Sequence, residues 1–419
     1  MNDDIYRFVA DTGIRIVLER IPHVRSCSIG VWVTRGSRHE PPEKVGISHF
    51  LEHMVFKGTP KRTAREIATS IESVGGTLDA FTSREYTCFH AKVLDEHVEL
   101  AVDVLSDLLD SPIMSEENLE REKQVVYEEI RNMEDTPEDI IHQLYAKTIW
   151  GDGPLGYPLL GTYGTVGSLG RGEVLEYLDH NYIGPNIVVS AAGNFDCKAM
   201  LELIKTKFAY LKDRSTAGDE RAGSAENQVP QDRPPLVRHM PRDCQQTHLC
   251  LGAISFSHAD RRRYALLILN NIIGGGMSSR LFQRVREEEA LAYVVYSFQQ
   301  FYLDTGVSGL YLGVEPSQRD RALKVIREEY LKLLEDGIGE EELEHAKYQL
   351  KGHLLLGLES TGTRMFRLAN FEVNNESYLP VDEVIEKIQS VGTGEIRDVA
   401  EVILLPEKLY SVSLGPNHV

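Results

Sequence analysis

Gly46–Pro60 reads GISHFLEHMVFKGTP. Pro41-Pro42 ahead of it, and Gly58 and Pro60 at its end, bound a helix over about Val45–Lys57. His49 and His53 are four apart, about 40° around a helix axis, so both imidazoles project from one face with Glu52 beside them. Two histidines at that spacing can hold one zinc ion, and a neighbouring glutamate can take a proton from its water. The order His-x-x-Glu-His reverses the common His-Glu-x-x-His motif. A zinc site needs a third protein ligand. Taken alone, the stretch is either a metal site or the polar trim of an ordinary helix.

A long helix further along supplies a candidate. Ser115–Asp135 reads SEENLEREKQVVYEEIRNMED, with Ser115 as its cap. Leu119, Glu122, Val126, Glu129 and Met133 recur at three- and four-residue steps and form one stripe, which its apolar members mark as the inward one. Glu116, Glu120 and Glu128 lie off it. A run of charges is ordinarily a solvated face, but carboxylates on an apolar stripe need a cation or protons. Glu122 and Glu129 are therefore candidates for a functional role.

Around these helices the chain divides in two. Its 419 residues exceed one typical hydrophobic core. Residues 213–235 are polar, proline-containing and aperiodic, and read as a linker between domains over 1–212 and 236–419. In the first half, an alternating strand at Ser26–Gly36 precedes the His/Glu helix. Another helix follows from Ala64, with Thr63 and Glu66 as a capping box, then strands at Thr77–Thr82 and Tyr86–Val93. The second half repeats the order. A strand near His248–Phe256 precedes a helix near Arg261–Ile273, and another helix starts near Ser279. Strands at Ala292–Phe301 and Gly306–Val314 come next, then two helices from Gln318 and Glu340. Hairpin-like connections predict an α+β fold of two homologous domains, each a largely antiparallel sheet with helices on one face.

Composition narrows the function classes. A net charge of −19 disfavours nucleic acid and favours cationic partners. The five cysteines (27, 88, 197, 244 and 250) have no CxxC pair, which points to a reducing compartment rather than a disulfide framework. No apolar run is long enough for a membrane span. The acidic start MNDDIYRFVADTG lacks the marks of a signal or transit peptide, so a cytoplasmic location without a membrane partner is the expectation.

With both helices read, HFLEH followed 76 residues after His53 by Glu129 resembles the inverted zincins of the pitrilysin, insulin-degrading enzyme and mitochondrial processing peptidase superfamily. The resemblance extends through GISHFLEHMVFKGTPKRTAREIATSIESVGGTLDAFTSREYTCFHAKV, LEREKQVVYEEIRNMEDTPED and IIGGGMSSRLFQRVREEEALAYVVYS, and runs from about Arg15 to Leu414. It is strongest to the short bacterial members. It implies one zinc ion per chain, held by His49, His53 and Glu129. It makes Glu52 the general base that activates a zinc-bound water, and Glu122 the carboxylate that orients a ligand histidine. It implies a metalloendopeptidase whose two domains form a clamshell that admits peptides or unfolded segments. A homodimer is the implied assembly.

The helix Arg261–Ile273 occupies the place of the zinc helix in the second half but has no ligand set, so metal is expected only in the first. Arg286 and Tyr293 correspond to a family pair that reaches the active site, the tyrosine helping to bind the substrate carbonyl. The family often has Lys-Arg-Gly where Glu288-Glu289-Ala290 stand here. Asp79, Ala80, Phe81 and Thr82 lie on the strand that resembles the family's substrate-pairing edge, and the family often has Asn at position 79. The acidity suggests basic peptides as substrates. The rival reading is a non-catalytic or partner-dependent subunit of a processing-peptidase-like complex. Gly274–Gly276 follows a helix and lacks Gly-Lys-Ser/Thr, so nucleotide binding has little support.

Overall fold

The structure, a computed structural model, describes residues 5–214 and 235–417. The expected linker 213–235 lies outside the described residues except at its ends. The chain forms two compact units.

The first unit holds a six-stranded sheet: β1 (Ile5–Val9), β2 (Arg15–Arg20), β3 (Ser26–Val33), β4 (Thr77–Thr82), β5 (Thr87–Leu94) and β6 (Ile187–Gly193), in the order β1-β2-β6-β3-β5-β4. Only the β2/β6 pairing is parallel. The second unit holds β7 (Val237–Pro241), β8 (Thr247–Ser255), β9 (Ala292–Phe301), β10 (Gly306–Val314) and β11 (Tyr410–Gly415), in the order β7-β11-β8-β10-β9. Here only β7/β11 is parallel. In each sheet a late strand, β6 or β11, inserts between the first two strands of the shared plan, and a hairpin strand, β4 or β9, ends on a free edge. The α+β duplication and the largely antiparallel sheets of the sequence reading are thus present.

Helices on one face are not the whole arrangement. In the first unit α1 (Ile47–Val55), α2 (Ala64–Glu72), α3 (Val98–Asp110) and α4 (Glu116–Asp135) enclose one core with Ile29, Val31, Val33 and Phe89. The other face carries Trp32, Cys88 and Val188, and the helix Thr361–Val373 covers it with Met365, Ala369 and Val373. In the second unit α5 (Pro137–Trp150) covers the corresponding face, packing Ile141, Tyr145 and Ile149 on Cys250, Tyr311 and Val412. The cause is legible in β3, SCSIGVWV, which is buried almost throughout and so must be covered on both faces. Gly30 helps, since a Cβ there would stand 2.5 Å from the Trp32 ring.

The covering helices also set which segments belong together. Residues 132–156 group with the second unit and 357–378 with the first, so neither unit is one contiguous half. No helix among the described residues is long and apolar enough to cross a membrane.

Candidate active site

α1 begins at Gly46, whose φ of 98° is a left-handed conformation that glycine adopts without strain. No side chain of the usual N-cap type closes this helix start. The buried Glu40 carboxylate does so instead, accepting from Gly46 N at 2.7 Å and Ser48 N at 2.8 Å. Burial pushes its pKa up to about 7, against the opposing pull of those bonds. Ile47, Phe50, Leu51, Met54 and Val55 anchor the helix in the core. The remaining face carries His49 and Glu52, both buried, and His53.

α4 presents Glu129 and Glu122 to that face. His49 Nε2 lies 3.5 Å and His53 Nε2 3.6 Å from Glu129 Oε2. The donor atoms of His49, His53 and Glu129 all fall within 4.8 Å of one another, the one such cluster among the described residues. These separations are long for hydrogen bonds. They suit a shared ion, because zinc bonds of about 2.0–2.1 Å in tetrahedral geometry place two ligand atoms about 3.4 Å apart. Two imidazoles and one carboxylate are a zinc donor set, so the residues present fit that metal. The inward stripe is graded: Glu122 is buried, whereas Glu129 and Met133 are half-buried.

Charge and hydrogen bonding differentiate the four polar groups. His49 is pushed down to about 3, by burial first and then by His53, and is therefore a neutral imidazole at pH 7. Burial would lower His53 too, but the Glu122 hydrogen bond, with Glu129 and Glu52, outweighs it and the net shift is upward. Glu122 Oε1 lies 2.8 Å from His53 Nδ1, and Lys57 Nζ lies 2.5 Å from the other oxygen, Oε2. Burial would raise Glu122, but His53 and Lys57 hold it below the usual carboxylate range. Glu52 is raised, chiefly by burial, while the hydroxyl of Thr82 opposes the shift by donating to Glu52 Oε2 at 2.6 Å.

The substrate-strand candidates lie on β4, the free edge of the first sheet. Thr82 faces Glu52. The neighbouring Phe81 turns to the opposite face, where its ring meets His90 and Phe366. Asp79 sits opposite His90 across the ladder and is exposed, with its Oδ1 accepting from Ala80 N.

Arg286 and Tyr293 lie in the second unit. The helix expected near Ser279 is present and is largely π-helical, over Phe282–Glu288, closed by Leu291 N donating to Val285 O. Arg286 stacks 4.4 Å from the Tyr293 ring and 4.6 Å from Phe282. Tyr293 is 73% exposed. Gly274–Gly276 end the helix Arg263–Gly274 and open a turn, with Gly275 N bonded to Asn271 O. Sequence reasoning missed Glu40 and Lys57. A carboxylate nine residues ahead of His49, and a lysine one further turn along the histidine face, were the available signals.

Known proteins resemble the chain along most of its length. Residues 15–163 match the family model described as insulinase, peptidase family M16, and residues 168–350 match the model of the peptidase M16 inactive domain. An uncharacterized zinc protease of Bacillus subtilis, YmxG, is 42% identical over 411 residues, covering 98% of each chain. An uncharacterized zinc protease of Streptomyces coelicolor is 39% identical, covering 96% of this chain and 88% of its own. Among solved structures, a protease from Helicobacter pylori superimposes with a TM-score of 0.92 at 21% identity, covering 99% of this chain and 100% of its own. That likeness speaks for the fold.

Proposed function

The chain belongs to the insulinase family of peptidases, family M16, and from that premise we propose that it is a zinc-dependent endopeptidase acting on peptides or unfolded polypeptide segments. The observation that carries the reading is the convergence of His49, His53 and Glu129 beside Glu52. Zinc held by those three side chains would supply a Lewis acid that polarises the peptide carbonyl and acidifies the attacking water. The rest of the chemistry falls to the chain. Glu52 accepts the proton of the attacking water and delivers it to the leaving amine. Its raised pKa suits both halves of that exchange. Thr82 holds one oxygen of Glu52, leaving the other free for the proton.

The free edge of β4 offers unpaired backbone groups to an extended peptide, with Ala80 and Phe81 beside the Glu52–Thr82 pair. Specificity through backbone pairing favours unfolded segments, and the net charge of −19 favours basic ones. Arg286 and Tyr293, already stacked together, are assigned to stabilising the charge that develops on the substrate carbonyl. Glu122 is assigned to orienting His53. A homodimer in the cytoplasm completes the proposal.

The test is zinc content and cleavage of a quenched basic peptide library by wild type and Glu52→Gln. The proposal expects zinc in both proteins and cleavage by wild type alone. Zinc without any cleavage would favour the partner-dependent subunit. Absence of zinc from both, after zinc addition, would refute the metallopeptidase assignment.

A further inference from the structure

We infer that Lys57 is a positioning residue for the metal: by holding one oxygen of Glu122 it aims the other at His53, and so orients the imidazole that binds zinc. The inference rests on the zinc-peptidase reading above.

The geometry is a ladder. His49, His53 and Lys57 follow one another at four-residue steps, one helical turn each. α1 itself ends at Val55, but Phe56 stays in the right-handed helical region and Lys57 N donates to Met54 O at 3.1 Å. The turn is thereby prolonged far enough to keep Lys57 near the histidine face. α4 runs the opposite way and offers Glu129 and then Glu122, seven residues or about two turns earlier. The contacts step along accordingly. His49 meets Glu129, His53 meets Glu129 with one ring nitrogen and Glu122 with the other, and Lys57 meets Glu122.

Glu122 is 3% exposed, so neither oxygen can rely on bulk water. Its two oxygens are divided, Oε1 to His53 Nδ1 at 2.8 Å and Oε2 to Lys57 Nζ at 2.5 Å. Without the ammonium the carboxylate is free to turn about its last torsion, and His53 loses the partner that directs its Nε2 toward Glu129. His49 cannot compensate, because its own Nδ1 is buried with no hydrogen-bonding partner among the described residues. Orientation of this site therefore enters through His53, and Lys57 is where that orientation is anchored.

Charge and position make opposite predictions, which makes the inference testable. Removing a cation near a dication site strengthens metal binding if charge alone matters. Removing an anchor weakens it, since outer partners of metal-ligating histidines typically contribute about 10–100-fold in affinity. The experiment measures zinc affinity by chelator competition for wild type, Lys57→Met and Lys57→Arg, and for Lys57→Met in a Glu122→Gln background. Lys57→Met is expected to weaken zinc binding about tenfold, and Lys57→Arg to recover most of it. In the Glu122→Gln background, Lys57→Met is expected to add no further loss, because the group through which it acts has been altered. Equal or tighter zinc binding by Lys57→Met, or the same loss in both backgrounds, overturns the inference. Should Lys57→Met fail to fold, Lys57→Gln gives the same readout. A wild type that binds no zinc fails at the earlier step, the metallopeptidase assignment itself.

Discussion

Thr82→Val isolates the group that tunes the base. Valine keeps the shape and β-branching of threonine and removes only the hydroxyl that donates to Glu52 Oε2 at 2.6 Å. Burial already raises Glu52, and this hydrogen bond is the largest influence opposing it. A hydrogen bond to a charged group contributes about 1.5–3 kcal/mol to the ionised form. The neutral carboxyl keeps about half of that bond, so losing it raises the Glu52 pKa further and disfavours the ionised form by about 1 kcal/mol. The proposed base works ionised, so activity climbs as pH rises through its pKa. The acid limb of kcat/KM against pH should therefore move to higher pH, lowering activity on that limb about fivefold, with most of it recovered at alkaline pH. Thr82→Ser, which keeps a hydroxyl, should stay close to wild type. The assay is cleavage of one quenched peptide from pH 5 to 9 by the three proteins, each loaded with zinc. Superimposable acid limbs for Thr82→Val and wild type would refute either the role of Glu52 as base or the control that Thr82 exerts on it.

Two further outcomes concern stability. Glu40 has its pKa raised to about 7 by burial, above the ordinary carboxylate value of 4.5, so its folded state binds a proton more tightly than the unfolded chain does. Its contribution to stability is thus fully present below about pH 4.5 and is lost as pH rises to about 7. The urea-unfolding free energy of wild type relative to Glu40→Gln should accordingly fall by up to about 3 kcal/mol between pH 4.5 and 8, and a difference that stays flat would contradict the buried charge. Ala290, with φ of 50°, is held in the left-handed region, where a Cβ costs about 1–2 kcal/mol. Ala290→Gly should raise the thermal midpoint by a few degrees, and a lowered midpoint would show that the strain is not there to relieve.

The readable parts of the site were those with a local period. His49, Glu52 and His53 share one helical face because four-residue spacing leaves no other arrangement on an α-helix. The stripe on α4 marked Glu122 as buried for the same reason. It overstated the burial of Glu129, because its N-terminal turns lie deeper in the core than its C-terminal ones. Strands β4, β9 and β10 were placed at their observed ends, since glycine-rich or polar turns punctuate them. The helix expected near Ser279 is present, but its i→i+5 bonding was not legible, because propensity does not distinguish that pattern from i→i+4.

Alone, the sequence placed His49, Glu52 and His53 on one face of one helix and Glu122 and Glu129 on one stripe of another, since each grouping depends only on spacing within its own helix. It also carried the duplication, since element order survives in apolar periodicity. Only the tertiary structure decided the partners across the chain. His53 meets Glu122 over 69 positions, and Thr82 meets Glu52 over 30. Only the tertiary structure, too, assigned residues 132–156 and 357–378 to the units whose sheets they cover. These pairings follow from how two-sided apolar strands find their second cover and how one helix slides into register with another. Both are settled by packing between distant segments, which leaves no repeat in the local sequence.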